Sequence, residues 1–106
     1  MSHRNEQLSG LIRSTVARFA LQIPPKVASV VSVTDVNLSR DFTYADIFIS
    51  AIKGVEEAMK VLHARRSEIR HELATSVSVH RIPILRFHKD EIGERAGRID
   101  KILAGL

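Results

Sequence analysis

Arg65, Arg66 and Arg70 place three guanidinium groups within six residues. The chemistry of such a cluster is recognition of phosphate, because the planar fork matches two anionic oxygens at once and stays charged at physiological pH. Lys60 lies just upstream, and Arg81 and Lys89 extend the run downstream. From Lys60 to Lys89 seven Lys/Arg meet only two acids, Glu68 and Glu72, for a net +5; the rest of the chain sums to −1. A block this concentrated fits a polyanion. The plainer reading is a solvated surface with the arginines paired to Glu68 and Glu72, but the cations outnumber those acids. Tyr44 and Phe48 are a second candidate. They alternate along one strand face, where rings can stack on bases or pack against Ile84 and the C-terminal segment.

No enzymatic constellation accompanies these residues. Cysteine is absent, no GxSxG is present, and Gly54, Gly93 and Gly97 stand alone rather than in a phosphate-cradling loop. Asp41, Asp46 and Asp90 are scattered carboxylates of the kind found in turns and on surfaces. His63, His71, His80 and His88 fall in the basic block. They lack the spacing of about three to five residues typical of metal-binding pairs on one helix. No cofactor and no metal is expected.

The elements that must position the arginines follow from hydrophobic period. Val55, Ala58, Met59 and Leu62 recur at helical spacing, as do Ile69 and Leu73. In one straight helix, positions 65 and 66 would fall on the stripe joining Leu62 to Ile69. Burying two unpaired guanidinium groups is very costly. A break over residues 65–67 is expected to turn both outward, with Ser67 capping the second helix, about residues 67–77. The result is a basic elbow between two helices. Upstream, Leu8, Leu11, Ile12, Val16, Phe19 and Ala20 predict a helix over residues 3–20, with Asn5 as a cap and Pro24–Pro25 as the stop. Residues 29–39 predict a strand whose alternation slips near Thr34–Asp35, the mark of a bulge. Residues 43–51 predict a second strand, with Ala45, Ile47 and Ile49 on its inner face; the short connection makes the pair an antiparallel hairpin. Pro83 is expected to open a last strand with Leu85 and Phe87 inward. Residues 91–106 read as a partly helical tail. The order α-β-β-α-α-β predicts a two-layer α+β domain.

A chain of 106 residues with 44% hydrophobic composition supports one domain, residues 1–106. No secretory signal and no membrane-length apolar run is visible, so a cytoplasmic protein with no membrane partner is expected.

Taken together, VTDVNLSRDFTYADIFIS, EIRHELA and HRIPILRFHKD resemble the ribosome-binding factor A family. Asp41, Ala45, Ile69–Arg70, Arg81, Pro83, Phe87 and Asp90 carry the likeness, with Arg4 and the helix that follows it. The resemblance implies a type II KH-like fold, in which the interhelical elbow replaces the GxxG loop that clamps nucleic-acid backbone. It also implies a non-enzymatic assembly factor that binds the small ribosomal subunit and its 16S-type rRNA during late maturation. Three departures stand out. The family elbow reads Ala-x-Gly where this chain has Arg65-Arg66-Ser67; Ile84 replaces a common Glu; and Pro24-Pro25-Lys26 replaces an Asp-Pro-Arg type of linker.

The expected RNA contacts are therefore Arg65, Arg66, Arg70, Lys60, Arg81 and Lys89, on a monomer. One rival is a general nucleic-acid binder, which would take unrelated DNA and RNA equally. Another is a protein-interaction module using the Tyr44–Phe48–Ile84 face, with little dependence on salt.

Overall fold

A computed structural model describes residues 3–76 and 81–91. The elements are α1 (His3–Leu21), β1 (Ser32–Leu38), β2 (Tyr44–Ser50), α2 (Val55–Ala64), α3 (Arg66–Ser76) and β3 (Ile84–Lys89). This is the predicted order. The expected tail lies almost wholly outside the described residues.

The apolar stripe of α1 enters the core through Leu8, Ile12, Val16, Phe19 and Ala20, while Leu11 is only partly buried. The helix closes through Gln22 N–H to the Phe19 carbonyl and Ile23 N–H to the Ala20 carbonyl. Pro24, which has no N–H to continue the ladder, follows at once. Asn5 lies inside α1 and accepts from the Ser9 hydroxyl at 3.3 Å, so it is not the cap.

The three strands form one sheet in the order β1-β2-β3, with β1–β2 antiparallel and β2–β3 parallel. The slip in alternation is a bulge: Val33 pairs with Ile49 and Asp35 with Phe48, leaving Thr34 unmatched. The extra residue restores phase, so that Val33 and Val36 both face the core. It also protects an edge strand from pairing with another chain. Arg13 of α1 adds to that protection by donating to the Val33 carbonyl at 3.0 Å.

The first strand is shorter at its start than the apolar run suggested. Val30 adopts φ 52°, a left-handed conformation that no strand accommodates. Before it, Ser29 forms only an isolated bridge with Lys53, and Ile52 N–H donates to the Ser29 carbonyl at 3.0 Å. Gly54 closes this corner with φ +80°; a Cβ there would lie 2.3 Å from the Val27 carbonyl oxygen, so only glycine fits. In the hairpin turn the Asp41 carboxylate accepts from Thr43 N–H and the Ser39 hydroxyl. The Thr43 hydrogen bonds foremost hold Asp41 below its usual pKa.

Pro83 precedes β3 as expected, fully buried, and Ile84 N–H starts the ladder on the Thr43 carbonyl at 2.8 Å. Ala45, Ile47, Ile49, Leu85 and Val36 meet Ala58, Leu62, Ile69 and Leu73 in one core. All three helices therefore cover one sheet face. The other face carries Tyr44, Asp46 and Phe48 of β2 beside Ile84, Arg86 and His88 of β3, and none of the three described helices packs there.

Candidate nucleic-acid interface

The helical stripe is interrupted between Leu62 and Ile69, both fully buried, and the interruption takes a single residue. Arg65 has φ −101° and ψ 13°. Its N–H is shared between the carbonyls of Val61 and Leu62, each at 3.1 Å, and its own carbonyl accepts from Ile69 N–H at 3.1 Å. No left-handed residue is needed for this kink, so a chain with no glycine at the elbow can still bend there. Ser67 lies within the first turn of α3 and does not cap it. The expected three-residue break is thus corrected to one residue, because a bifurcated hydrogen bond absorbs the change of direction.

The arginines do not all turn outward. The Arg65 guanidinium folds back over the ring of Phe19 on α1, with Cζ 4.5 Å from the centroid. Nε and Nη2 donate to the two oxygens of Glu68 at 3.2 and 3.0 Å, and Nη1 donates to Gln22 Oε1 at 2.6 Å. The Arg65 hydrogen bonds hold the Glu68 carboxyl below its usual range. Arg65 is therefore compensated, and its partners Phe19 and Gln22 went unnoticed in sequence. Glu68, three residues on in the first turn of α3, was the local signal for the pairing.

Arg66 is exposed, and its Nη1 donates at 2.8 Å to the His63 carbonyl, in the last turn of α2. Cations are favoured at such a helix end. Arg70 is half-buried and donates from Nε to the Pro83 carbonyl at 3.2 Å and from Nη2 to the Ile82 carbonyl at 2.9 Å. It ties α3 to the segment leading into β3, which gives the Ile69–Arg70 and Arg81–Pro83 motifs a common structural purpose.

Lys60 and Arg81 are exposed. Lys60 borders a groove of about 370 Å³ between α2 and β3, lined also by Glu56, Met59, His63, Ala64 and Phe87. Lys60, His63, Arg66 and Arg70 follow one another along the two helices, and Arg70 reaches the carbonyl next to Arg81. Lys60, Arg66 and Arg70 thus lie on the two helices that meet at the elbow. Lys89 lies apart, at the far end of β3, with Glu56 Oε2 at 3.7 Å.

On the opposite sheet face, the rings of Tyr44 and Phe48 each carry a flat neighbour from β3. The Arg86 guanidinium lies 4.1 Å from the Tyr44 centroid, and His88 stacks on Phe48 at 5.1 Å and 28°. Asp46 fixes both groups: Arg86 Nε and Nη2 approach its oxygens at 2.8 and 3.0 Å, and His88 Nε2 at 2.7 Å. The described residues contain no group of three metal-binding side chains. No helix among them is long and apolar enough to cross a membrane.

A sequence model described as ribosome-binding factor A matches residues 4–103. The ribosome-binding factor A of Pelodictyon phaeoclathratiforme is 32% identical over 111 aligned positions, covering 100% of this chain and 93% of the relative. The crystal structure of ribosome-binding factor A from Thermus thermophilus superposes with a TM-score of 0.69 at 21% identity, covering 80% of this chain and 93% of that one. A homology model of Thermus thermophilus ribosome-binding factor A, fitted into a cryo-EM map of its 30S complex, gives a TM-score of 0.67 at 21% identity over 86% of this chain and 96% of that one. The architecture is thus the two-layer, KH-like α+β fold of these structures. By its match along nearly the whole sequence, the chain belongs to the ribosome-binding factor A family.

Proposed function

We propose that this protein binds the small ribosomal subunit through its rRNA during late maturation and acts by occupancy, without catalysis. The observation that carries this reading is the positive charge at and beside the elbow that no described carboxylate pairs with. Lys60, Arg66, Arg70 and Arg81 make no ion pair with a carboxylate among the described residues. Arg66 and Arg70 bond to neutral carbonyls, so they keep their full charge. An A-form RNA backbone offers phosphates to such a surface, and arginine forks suit them. The relatives' name supplies the ribosome, and the 30S complex of the Thermus thermophilus protein supplies the subunit.

In this reading Arg66, Arg70, Lys60 and Arg81 contact phosphate, and Lys89 extends the surface beyond the groove. Arg65 stands beside these cations with its charge met by Glu68. The protein holds an immature region of rRNA until maturation displaces it from the cytoplasmic subunit.

The test is binding to isolated small subunits across a salt series, with large subunits and unrelated RNA as controls. Selective small-subunit binding should weaken with salt by ~0.7–0.9 log units per phosphate contact. Equal binding to every RNA would replace the assembly role with general nucleic-acid binding. Binding that ignores salt would transfer the interaction to the sheet face.

A further inference from the structure

Arg65 is held at the elbow as a flat plate. Its Cζ lies over the ring of Phe19, 4.5 Å from the centroid, and Phe19 is itself only 4% exposed. Each of the three guanidinium nitrogens has an acceptor, two on Glu68 and one on Gln22. Three of its five N–H groups are engaged in this way, and 31% of the side chain is still exposed. Arg65 borders a groove of about 450 Å³ between α1 and α3, lined also by Phe19, Gln22, Ser67, Glu68, His71 and Glu72.

Charge in that groove is cancelled. Glu68 is met by Arg65 at 3.0 Å and Glu72 by Arg18 at 2.8 Å. A phosphate gains little from such a site. A flat uncharged ring gains more, because bases stack on guanidinium planes as they do on aromatic rings. The plate is already immobilised, so stacking on it loses little side-chain freedom. Ser67, Gln22 and His71 offer hydrogen-bonding groups at the groove wall.

We propose that Arg65, backed by Phe19, is a stacking platform for an unpaired nucleobase of RNA in the α1–α3 groove. This rests on the reading of the elbow as an RNA-backbone contact and adds base recognition to it. Phosphates run along Lys60, Arg66 and Arg70, and one base turns into the neutral groove beside them.

The experiment compares a short oligoadenylate with an abasic ribose-phosphate oligomer of equal length, using the full chain, and runs small-subunit binding in parallel. Wild type should bind the oligoadenylate about five- to tenfold more tightly than the abasic oligomer, the lower end of what one base–side-chain stack supplies. Arg65→Lys keeps the charge and removes the plane. With its fold verified by circular dichroism, it should lose the preference while keeping the wild-type salt slope. An adenine analogue such as 2-aminopurine in the oligomer should be quenched on binding wild type and not on binding Arg65→Lys. If Arg65→Lys unfolds, Gln22→Ala takes its place: it frees one edge of the plate without altering any charge and should reduce the preference. Undiminished preference in the folded variant overturns the platform. So does a wild type that binds small subunits but treats both oligomers alike. Loss of binding to small subunits and to both oligomers overturns the elbow reading as well.

Discussion

The elbow and the outer sheet face both display arginine, histidine and aromatic side chains, yet they present opposite electrostatics. On the sheet, Arg86 and His88 converge on one carboxylate, Asp46. The charge of Arg86 is met inside the cluster, and the two flat groups lie over the rings of Tyr44 and Phe48. At the elbow, Arg66 and Arg70 donate to carbonyls of His63, Ile82 and Pro83. A carbonyl fixes a guanidinium without neutralising it. The difference teaches that the number of cations on a surface does not decide its fitness for a polyanion. The identity of their internal partners does.

The largest expected effect breaks the comparison at the elbow. Lys60→Ala combined with Arg66→Ala removes two cations that pair with no carboxylate among the described residues. Each charge-assisted contact is worth about 1.5–3 kcal/mol. Small-subunit affinity should therefore fall by roughly a hundredfold or more, and the salt slope should shrink by about two contacts. Arg86→Ala removes one cation from the sheet face and should leave both quantities unchanged. Equal losses from the two surfaces, measured by the same salt series, would erase the distinction drawn between them.

A second contrast concerns stability. Arg70→Ala strands the Ile82 and Pro83 carbonyls that it now satisfies at a partly buried position, at a cost of about 1–3 kcal/mol. Arg86→Ala breaks an exposed pair, which solvent screens, and should cost less than Arg70→Ala. Urea denaturation of the two variants ranks them directly. A larger loss for Arg86→Ala would mean that the sheet face holds the fold and that the Arg70 clamp does not.

How much of this was legible in sequence depended on the range of each interaction. The stripe of α1, the bulge at Thr34 and the start of β3 at Pro83 follow from local period and from the chemistry of proline, and all were readable. The elbow was readable too, because two arginines on an apolar stripe demand an explanation. Its details were not. The acceptor at Gln22 lies 43 residues from Arg65, and the ring beneath it belongs to another helix. Only the docking of α1 creates that environment, so the outward turn expected of Arg65 gave way to a tertiary contact. The pairing of Arg86 and His88 with Asp46 likewise depends on the parallel β2–β3 register, which no local pattern encodes. The late start of β1, after Val30, was hidden because a β-branched residue argues for extended backbone, and here the Ser29–Lys53 bridge overrides it.

The smallest expected effect is a pH dependence that belongs to the sheet face. The Asp46 carboxyl is held below its usual pKa, chiefly by the hydrogen bond from Arg86 and further by His88, against the opposing effect of burial. A carboxyl whose folded pKa lies below its unfolded value stabilises the fold above the unfolded pKa. That contribution disappears as pH falls through the folded one. The Asp46 contribution is thus complete above about pH 4 and is lost below it. Asp41 and Glu68 are lowered as well, by Thr43 and Arg65 respectively, and they weaken the fold in the same window. The total acid sensitivity therefore identifies no single residue, and a paired comparison is needed. Asp46→Asn should have a lower Tm than wild type at neutral pH, with the gap closing as pH drops from about 4. Its small-subunit affinity at neutral pH should match wild type, since the residue it releases, Arg86, lies off the elbow. A gap in Tm that persists unchanged into acid would show that Asp46 serves the sheet by shape alone. A rise in RNA affinity would show that the freed Arg86 can join the polyanion surface, and that Asp46 is what keeps the two faces distinct.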